Sequence, residues 1–197
     1  MSEGREVKPA RERIVDAAAA VMREHGVANA TTKAIAAEAG YSEAMLYKHF
    51  ADKQDLFLAV LKERVPALTE LPTPGEGDAR ENLVTLVAKL MNYYADLFPM
   101  SVSIFSEPEL LIQHREGVKR HGGFGPIGPI LLVERYLDAE ASRLVITDTG
   151  AAARLLAGMA FQQGFLAAFE GLREVQGARE TAGAAVDALL SVPPLVE

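Results

Sequence analysis

Tyr47, Lys48 and His49 stand side by side, Lys53 follows closely, and the pair Thr31-Thr32 lies shortly before them. A phenol hydroxyl, an imidazole and ammonium groups all bind phosphate oxygens. A Thr pair at the start of a helix adds free backbone N–H groups that favour an anion. Between these groups Ser42, Glu43, Ala44, Met45 and Lys48 are not needed for a core, which makes them candidates for reading base edges. Glu43 can accept from a cytosine N4 amino group, and Ala44 or Met45 can touch a thymine methyl. Lys33 falls on the outer face of the preceding segment, within reach of a base edge or phosphate at a groove wall. Bond-making chemistry has no comparable set. There is no Ser-His-Asp constellation, no metal motif and no nucleotide fingerprint. His114, Glu116 and His121 supply no closed ligand shell. The run His121 to Pro129 lacks a Gly-Lys-Ser/Thr ending, and its prolines remove N–H donors, so it connects helices. No catalytic residue, metal or cofactor is expected, and the chain is not expected to be an enzyme.

Residues 31–53 must position the phosphate and base contacts. Two short helices fit this stretch, separated by a turn at Gly40-Tyr41. Ile35, Ala36 and Ala39 form the inner face of the first, and Leu46 and Phe50 that of the second. Small residues let the two backbones cross closely. Gly40 can take the positive φ that ends a helix, and Ser42 can cap the next one. This is the pattern of a helix-turn-helix, whose second helix enters a major groove. Before it, Ile14, Val15, Ala18, Val21 and Met22 predict a helix from about Ala10 to His25, stopped by Gly26. After it, Asp52 and Asp55 open a fourth helix with Leu56, Phe57, Val60, Leu61, Val65 and Leu68 on its apolar side, which Pro66 breaks or bends.

The stretch AGYSEAMLYKHFADKQDLF, together with Gly26, the Thr pair and Ile35-Ala36, resembles the signature of TetR-family transcriptional repressors over roughly residues 10 to 65. The resemblance implies that Tyr47, His49 and Lys53 contact the DNA backbone and that the residues around Ser42 to Lys48 face bases. It also implies a repressor released from its operator by a small molecule.

Net charge is −7, distributed unevenly: residues 1–65 carry ten Lys/Arg and ten Asp/Glu, and the rest carry ten and seventeen. A neutral DNA-reading end on an acidic body approaches a polyanion in one orientation. Arg5, Lys8, Arg11 and Arg13 are basic enough to reach phosphates or a minor groove, although a solvent-exposed terminus is the expected state of residues 1–9. The absence of cysteine excludes disulfides and thiolate sites. No apolar run is long enough for a membrane span, and the start lacks the pattern of a signal peptide, so the cytoplasm is the expected compartment.

Beyond the linker-like Leu71-Pro-Thr-Pro-Gly-Glu-Gly-Asp78 the chain reads as further helices: Ala79 to Phe98, ended by Pro99; a short turn at Met100 to Ser106; Glu109 to Arg120; Ile130 to Leu137; Asp148 to Glu170; and Ala178 to Leu190. The stretch Asp148 to Glu170 is apolar around much of its circumference and so must be covered on two sides. Ala153, Ala157, Gly158, Ala160 and Gly164 would allow a partner to approach closely. Leu155, Gly158, Phe161, Gly164 and Phe165, with Ala184 and Leu189 of the last helix, are therefore the expected homodimer interface, a four-helix arrangement as in the family. Met91, Tyr94, Phe98, Phe105, Tyr136, Met159, Phe161, Gln162 and Phe165 are the candidates to line a mostly apolar effector cavity. The expected protein is all-α: a flexible tail at 1–9, a helix-turn-helix DNA-binding domain at 10–70, and a helical ligand-binding and dimerisation domain at 71–197. Its expected partners are a double-stranded operator, a small-molecule effector and a second copy. The rival reading is a helical small-molecule or partner-binding protein whose helix-turn-helix is vestigial.

Overall fold

A computed structural model describes residues 8–64 and 71–191. Every regular element among them is helical: α1 (Ala10–Asn29), α2 (Thr32–Ala39), α3 (Glu43–Tyr47), α4 (Lys53–Arg64), α5 (Ala79–Ser101), α6 (Pro108–Arg120), α7 (Gly128–Ala139), α8 (Thr149–Phe169) and α9 (Ala178–Leu190), with 3-10 turns at Val102–Ser106 and Gly125–Ile127. Two compact units emerge. One comprises the described part of Met1–Val65 with Pro99–Gly122, and the other the described part of Pro66–Phe98 with Gly123–Glu197. The positions Val65, Pro66 and Leu68, expected to finish the stripe of α4, lie outside the described residues, as does Arg5.

In the first unit α1 packs against α2 and α4 through Ile14, Val15, Ala18 and Met22, all fully buried. Gly26 breaks this helix as its type predicts, at φ 76° and ψ 158°. It also lies against another segment: a Cβ added there would meet Ser103 Oγ at 2.8 Å. The same hydroxyl oxygen accepts the N–H of Ala28 at 3.1 Å, satisfying a donor that the broken helix leaves open. Asp52 caps α4 by accepting the Asp55 N–H at 2.8 Å, and the Asp55 carboxylate accepts the Ala51 N–H at 3.2 Å. Such reciprocal capping is worth about 1 kcal/mol. α6 lies on α4 at Gly117, with Leu58 and the Gln54 Cβ close by. Gln54 is only 3% exposed. Its Oε1 pairs with His114 Nδ1 at 3.3 Å, while its Nε2 has no partner. The His114 ring also packs on Phe57 at 5.5 Å, and burial lowers its pKa.

The second unit is built on the first twenty residues of α5, whose Leu83, Leu86, Val87, Leu90 and Met91 meet Val133 and Leu137 of α7, Leu156 of α8 and Val186 of α9. Pro99 does not end α5 as expected. It falls in the last turn, where the missing N–H costs one bond to the i−4 carbonyl, and the helix gives way to the 3-10 turn only after Ser101. The linker-like residues 71–78 are tied to the turn that follows α7. Gly75 donates its N–H to the fully buried Glu140, and Arg143 bridges that carboxylate to the Gly77 carbonyl. Bidentate Arg80–Asp187 pairs at 2.6 and 2.7 Å join α5 to α9.

α8 departs from expectation in one respect. Ala153, Ala157, Ala160 and Gly164 are buried within their own unit and cannot receive a partner chain. Gly164 is small because the α5 backbone passes it. A Cβ there would lie 2.8 Å from the Met91 carbonyl oxygen and 2.9 Å from the Ala95 nitrogen, and would overlap Tyr94 Cβ. Gly164 therefore leaves the expected interface set, because its missing side chain accommodates α5.

Candidate nucleic-acid interface

The geometry of residues 31–53 follows from three caps. Thr31 Oγ1 accepts the Ala34 N–H at 3.1 Å and starts α2. Gly40, at φ 74°, ends it with a paired closure in which its own N–H reaches the Ala37 carbonyl and the Tyr41 N–H reaches that of Ala36. Ser42 Oγ accepts the Met45 N–H at 3.3 Å and starts α3. Ile35, Ala36, Ala39, Leu46 and Phe50 are buried, so the remaining side chains of α2 and α3 face outward by default. Burying Leu46 alone stabilises this arrangement by roughly 1.5–3 kcal/mol.

All eleven expected DNA-contacting residues lie outside the core. Thr31, Lys33, Ser42, Glu43, Ala44, Tyr47, Lys48 and His49 are exposed, while Thr32, Met45 and Lys53 are half-buried. α3 ends at Tyr47, so Lys48 and His49 follow the helix in the turn toward Phe50. Two polar residues carry contacts that the sequence did not reveal. Thr32 Oγ1 donates to Glu43 Oε2 at 2.7 Å, and the Tyr47 hydroxyl reaches the same threonine oxygen at 3.5 Å. Lys53 Nζ donates to the Ala28 carbonyl at 2.9 Å, and burial lowers its pKa against the opposing pull of Glu107. An ammonium keeps two further N–H donors beside that bond.

The basic residues of the N-terminal segment hold the domain together. Arg13 donates to the Ala39 carbonyl at 2.8 Å and to the Tyr41 hydroxyl at 3.2 Å, and its guanidinium covers the Tyr41 ring at 4.8 Å. It thereby locks the turn between α2 and α3 from the side of α1. Arg11 grips Glu63 through two bonds of 2.7 and 2.9 Å and lies over Phe50, and that pairing holds the Glu63 carboxyl below its ordinary value. Lys8 pairs with Asp16. These partners lie eight to fifty-two positions apart, a separation at which no local pattern announces them.

The expected effector residues do not line one cavity. Met91, Tyr94 and Tyr136 are buried in the core of the second unit, and the Tyr136 hydroxyl is bonded to the Ala79 carbonyl. Burial pushes the Tyr94 phenol up to about 12. Tyr94, Phe98, Phe161 and Phe165 stack edge to face on one another at 4.9–5.5 Å between ring centroids, apart from the looser Tyr94–Phe98 pair. Met159 is half-buried and Gln162 exposed. Phe105 belongs to the first unit, 71% exposed on the 3-10 turn. A groove of about 670 Å³ does open between α5 and the α8–α9 connection. It is lined by Lys89, Asn92, Asp96, Leu172, Arg173, Glu174 and Gln176, none of them among the nine. The aromatic residues pack on each other because rings on facing helices gain more from mutual contact than from enclosing a void.

On α8 the outer face is apolar and open. Leu155 is 66% exposed and Phe169 77%, with Phe161, Phe165 and Leu166 about half exposed. Gly158 has no atom near the position of a Cβ. On α9 Ala184 is exposed and Leu189 half-buried. Leu166 and Phe169 complete a stripe that the expected interface set omitted. Among the described residues no helix is long and apolar enough to cross a membrane, and no cluster of three His, Asp or Glu side chains is placed to hold a metal ion.

Residues 14–60 match the family model of the bacterial regulatory proteins, tetR family. Over 85 residues the chain is 39% identical to the HTH-type transcriptional regulator TtgW of Pseudomonas putida, an alignment covering 43% of this chain and 63% of that protein. Over 107 residues it is 30% identical to the HTH-type transcriptional regulator YvkB of Bacillus subtilis (strain 168), covering 53% of this chain and 55% of that one. The chain thus spans little more than half the length of these curated relatives. Among solved structures it is similar to the fatty acid degradation regulator FadR from Bacillus halodurans, with a TM-score of 0.67 at 20% identity over 94% of this chain and 97% of that one. At that identity the likeness is one of fold.

Proposed function

Because the chain belongs to the TetR family of bacterial regulatory proteins through residues 14–60, we propose that it is a dimeric, sequence-specific DNA-binding repressor, released from a palindromic operator by a small molecule. The observation that carries this reading is the outward row of Ser42, Glu43, Ala44, Tyr47, Lys48 and His49 on a segment anchored beneath by Leu46 and Phe50. A row of that kind fits a major groove, with Glu43, Ala44 and Met45 toward base edges and Tyr47, His49 and the α2 N-terminus toward phosphates. The remaining N–H donors of Lys53 serve the same backbone. The open stripe of α8 with the outer face of α9 is the surface for a second copy, and the dimer presents two such rows about 34–36 Å apart.

The effector acts by binding one arrangement of the dimer more tightly than another, which shifts the spacing of the two rows. The apolar rings of Phe98, Phe161 and Phe165, packed on one another, support an apolar or aromatic compound as the effector.

Selection of bound duplexes from a random library, with the mass of the complex measured in parallel, tests the proposal. An inverted repeat bound by a dimer or a pair of dimers is the expected result. Failure to enrich any sequence at low salt would overturn it. Replacing Tyr47→Phe together with Lys53→Ala should weaken binding to every duplex alike and make the salt dependence shallower by about one released ion, since only Lys53 carries a charge.

A further inference from the structure

We infer that Glu43 is an internal competitor for the Thr32 hydroxyl, so that a DNA phosphate seated at Thr32 frees the Glu43 carboxylate to read a base. The inference rests on the DNA-binding reading above and concerns how its specificity arises. Thr32 has one hydroxyl proton, and it is donated to Glu43 Oε2 at 2.7 Å. The Tyr47 hydroxyl approaches the same threonine oxygen at 3.5 Å. Thr32 opens α2, whose first N–H groups favour an anion, and the Glu43 carboxylate stands beside it. Phosphate and carboxylate oxygens only accept, so the two cannot share the threonine proton, and their like charges repel at hydrogen-bond range. A phosphate that takes the hydroxyl therefore turns the carboxylate away.

Glu43 is the first residue of α3 and exposed. Once released it needs a donor, and base amino groups supply one in the major groove: cytosine N4, or adenine N6. Guanine and thymine edges present acceptors at the corresponding positions and repel it. Discrimination then comes largely from rejecting the wrong edge, and it is coupled to the phosphate contact through one side chain.

A thermodynamic cycle of DNA affinities tests this, using wild type, Glu43→Gln, Thr32→Val and the double variant against a random-sequence duplex and the duplex enriched by selection. Glu43→Gln should tighten binding to the random duplex several-fold and shrink the ratio between the two duplexes. In the Thr32→Val background that gain should fall by about threefold or more, the non-additivity of residues in contact. Thr32→Ser should behave as wild type, and Thr32→Ala should repeat Thr32→Val if the valine disturbs folding, as thermal unfolding would reveal. Effects of Glu43→Gln that are equal in both backgrounds overturn the competition while leaving the DNA-binding reading intact. Absence of any enriched duplex for wild type removes both.

Discussion

The two units place polar chemistry and apolar surface in opposite ways. In the first, the core is closed beneath α2 and α3, and what remains outside is polar: threonines, a glutamate, a lysine, a tyrosine and a histidine on adjoining turns. In the second, polar groups are drawn inward, with Glu140 fully buried under the linker and Asp96 held by Arg173 at 2.9 Å, while α8 turns an apolar stripe outward. The first surface suits a charged, hydrated partner that is bound and released. The second suits a partner that stays, because leaving returns leucine and phenylalanine side chains to water.

The comparison can be broken at the residue that separates the inner from the outer side of α8. Gly164→Leu should destabilise the second unit by about 3 kcal/mol or more, read as a fall in the urea midpoint, because the α5 backbone at Met91 and Ala95 cannot retreat. If instead the variant unfolds normally and only its association changes, Gly164 belongs to the outer side after all. The converse change, Leu155→Glu with Phe169→Glu, should leave helix content intact and weaken dimerisation by about thirtyfold or more, the effect of losing interface anchors worth roughly 2 kcal/mol. Sedimentation at several concentrations reads the result, and an unchanged mass would mean that the stripe is not the interface. The smallest effect sharpens the first unit. Because burial lowers the His114 pKa, the unfolded chain takes up its proton more readily than the folded one. Stability tied to this group is therefore present above about pH 6.5 and declines as pH falls below it. His114→Gln should flatten the difference in urea midpoint between about pH 5.5 and 7.5, and a slope identical to wild type would exclude the histidine as its source.

What could be read from the sequence follows the range of the forces involved. Gly40, Ser42, Asp52 and Gly26 act on neighbours within a few positions, so their residue types announced the caps and the break that the structure contains. The buried faces of α2 and α3 followed from their spacing. Arg13 and Arg11 could be read only as part of a solvent-exposed terminus or as groups within reach of phosphates, because their partners, Ala39, Tyr41 and Glu63, are remote in sequence. Likewise Thr32 and Glu43 were read separately, each as a DNA contact, since nothing local predicts that they bond to one another. In α8, apolar residues on every side left the inner and outer faces indistinguishable by periodicity. Only the approach of another backbone assigns Gly164 to the interior. The aromatic residues expected to surround an effector are hydrophobic in either role, and packing against each other is the outcome that sequence cannot separate from lining a void.

The Ser103 hydroxyl that closes the broken end of α1, and α6 with its Gln54–His114 pair, both come from Pro99–Gly122, well downstream of the helix-turn-helix they support. During synthesis the first four helices are therefore made before the segment that completes their core. At translation rates of about 5–20 residues per second, the chain between them takes seconds to appear. For that interval the part of α4 that α6 covers, around Gln54 and Leu58, stays open to solvent, and the unit reaches its finished form only when α6 arrives.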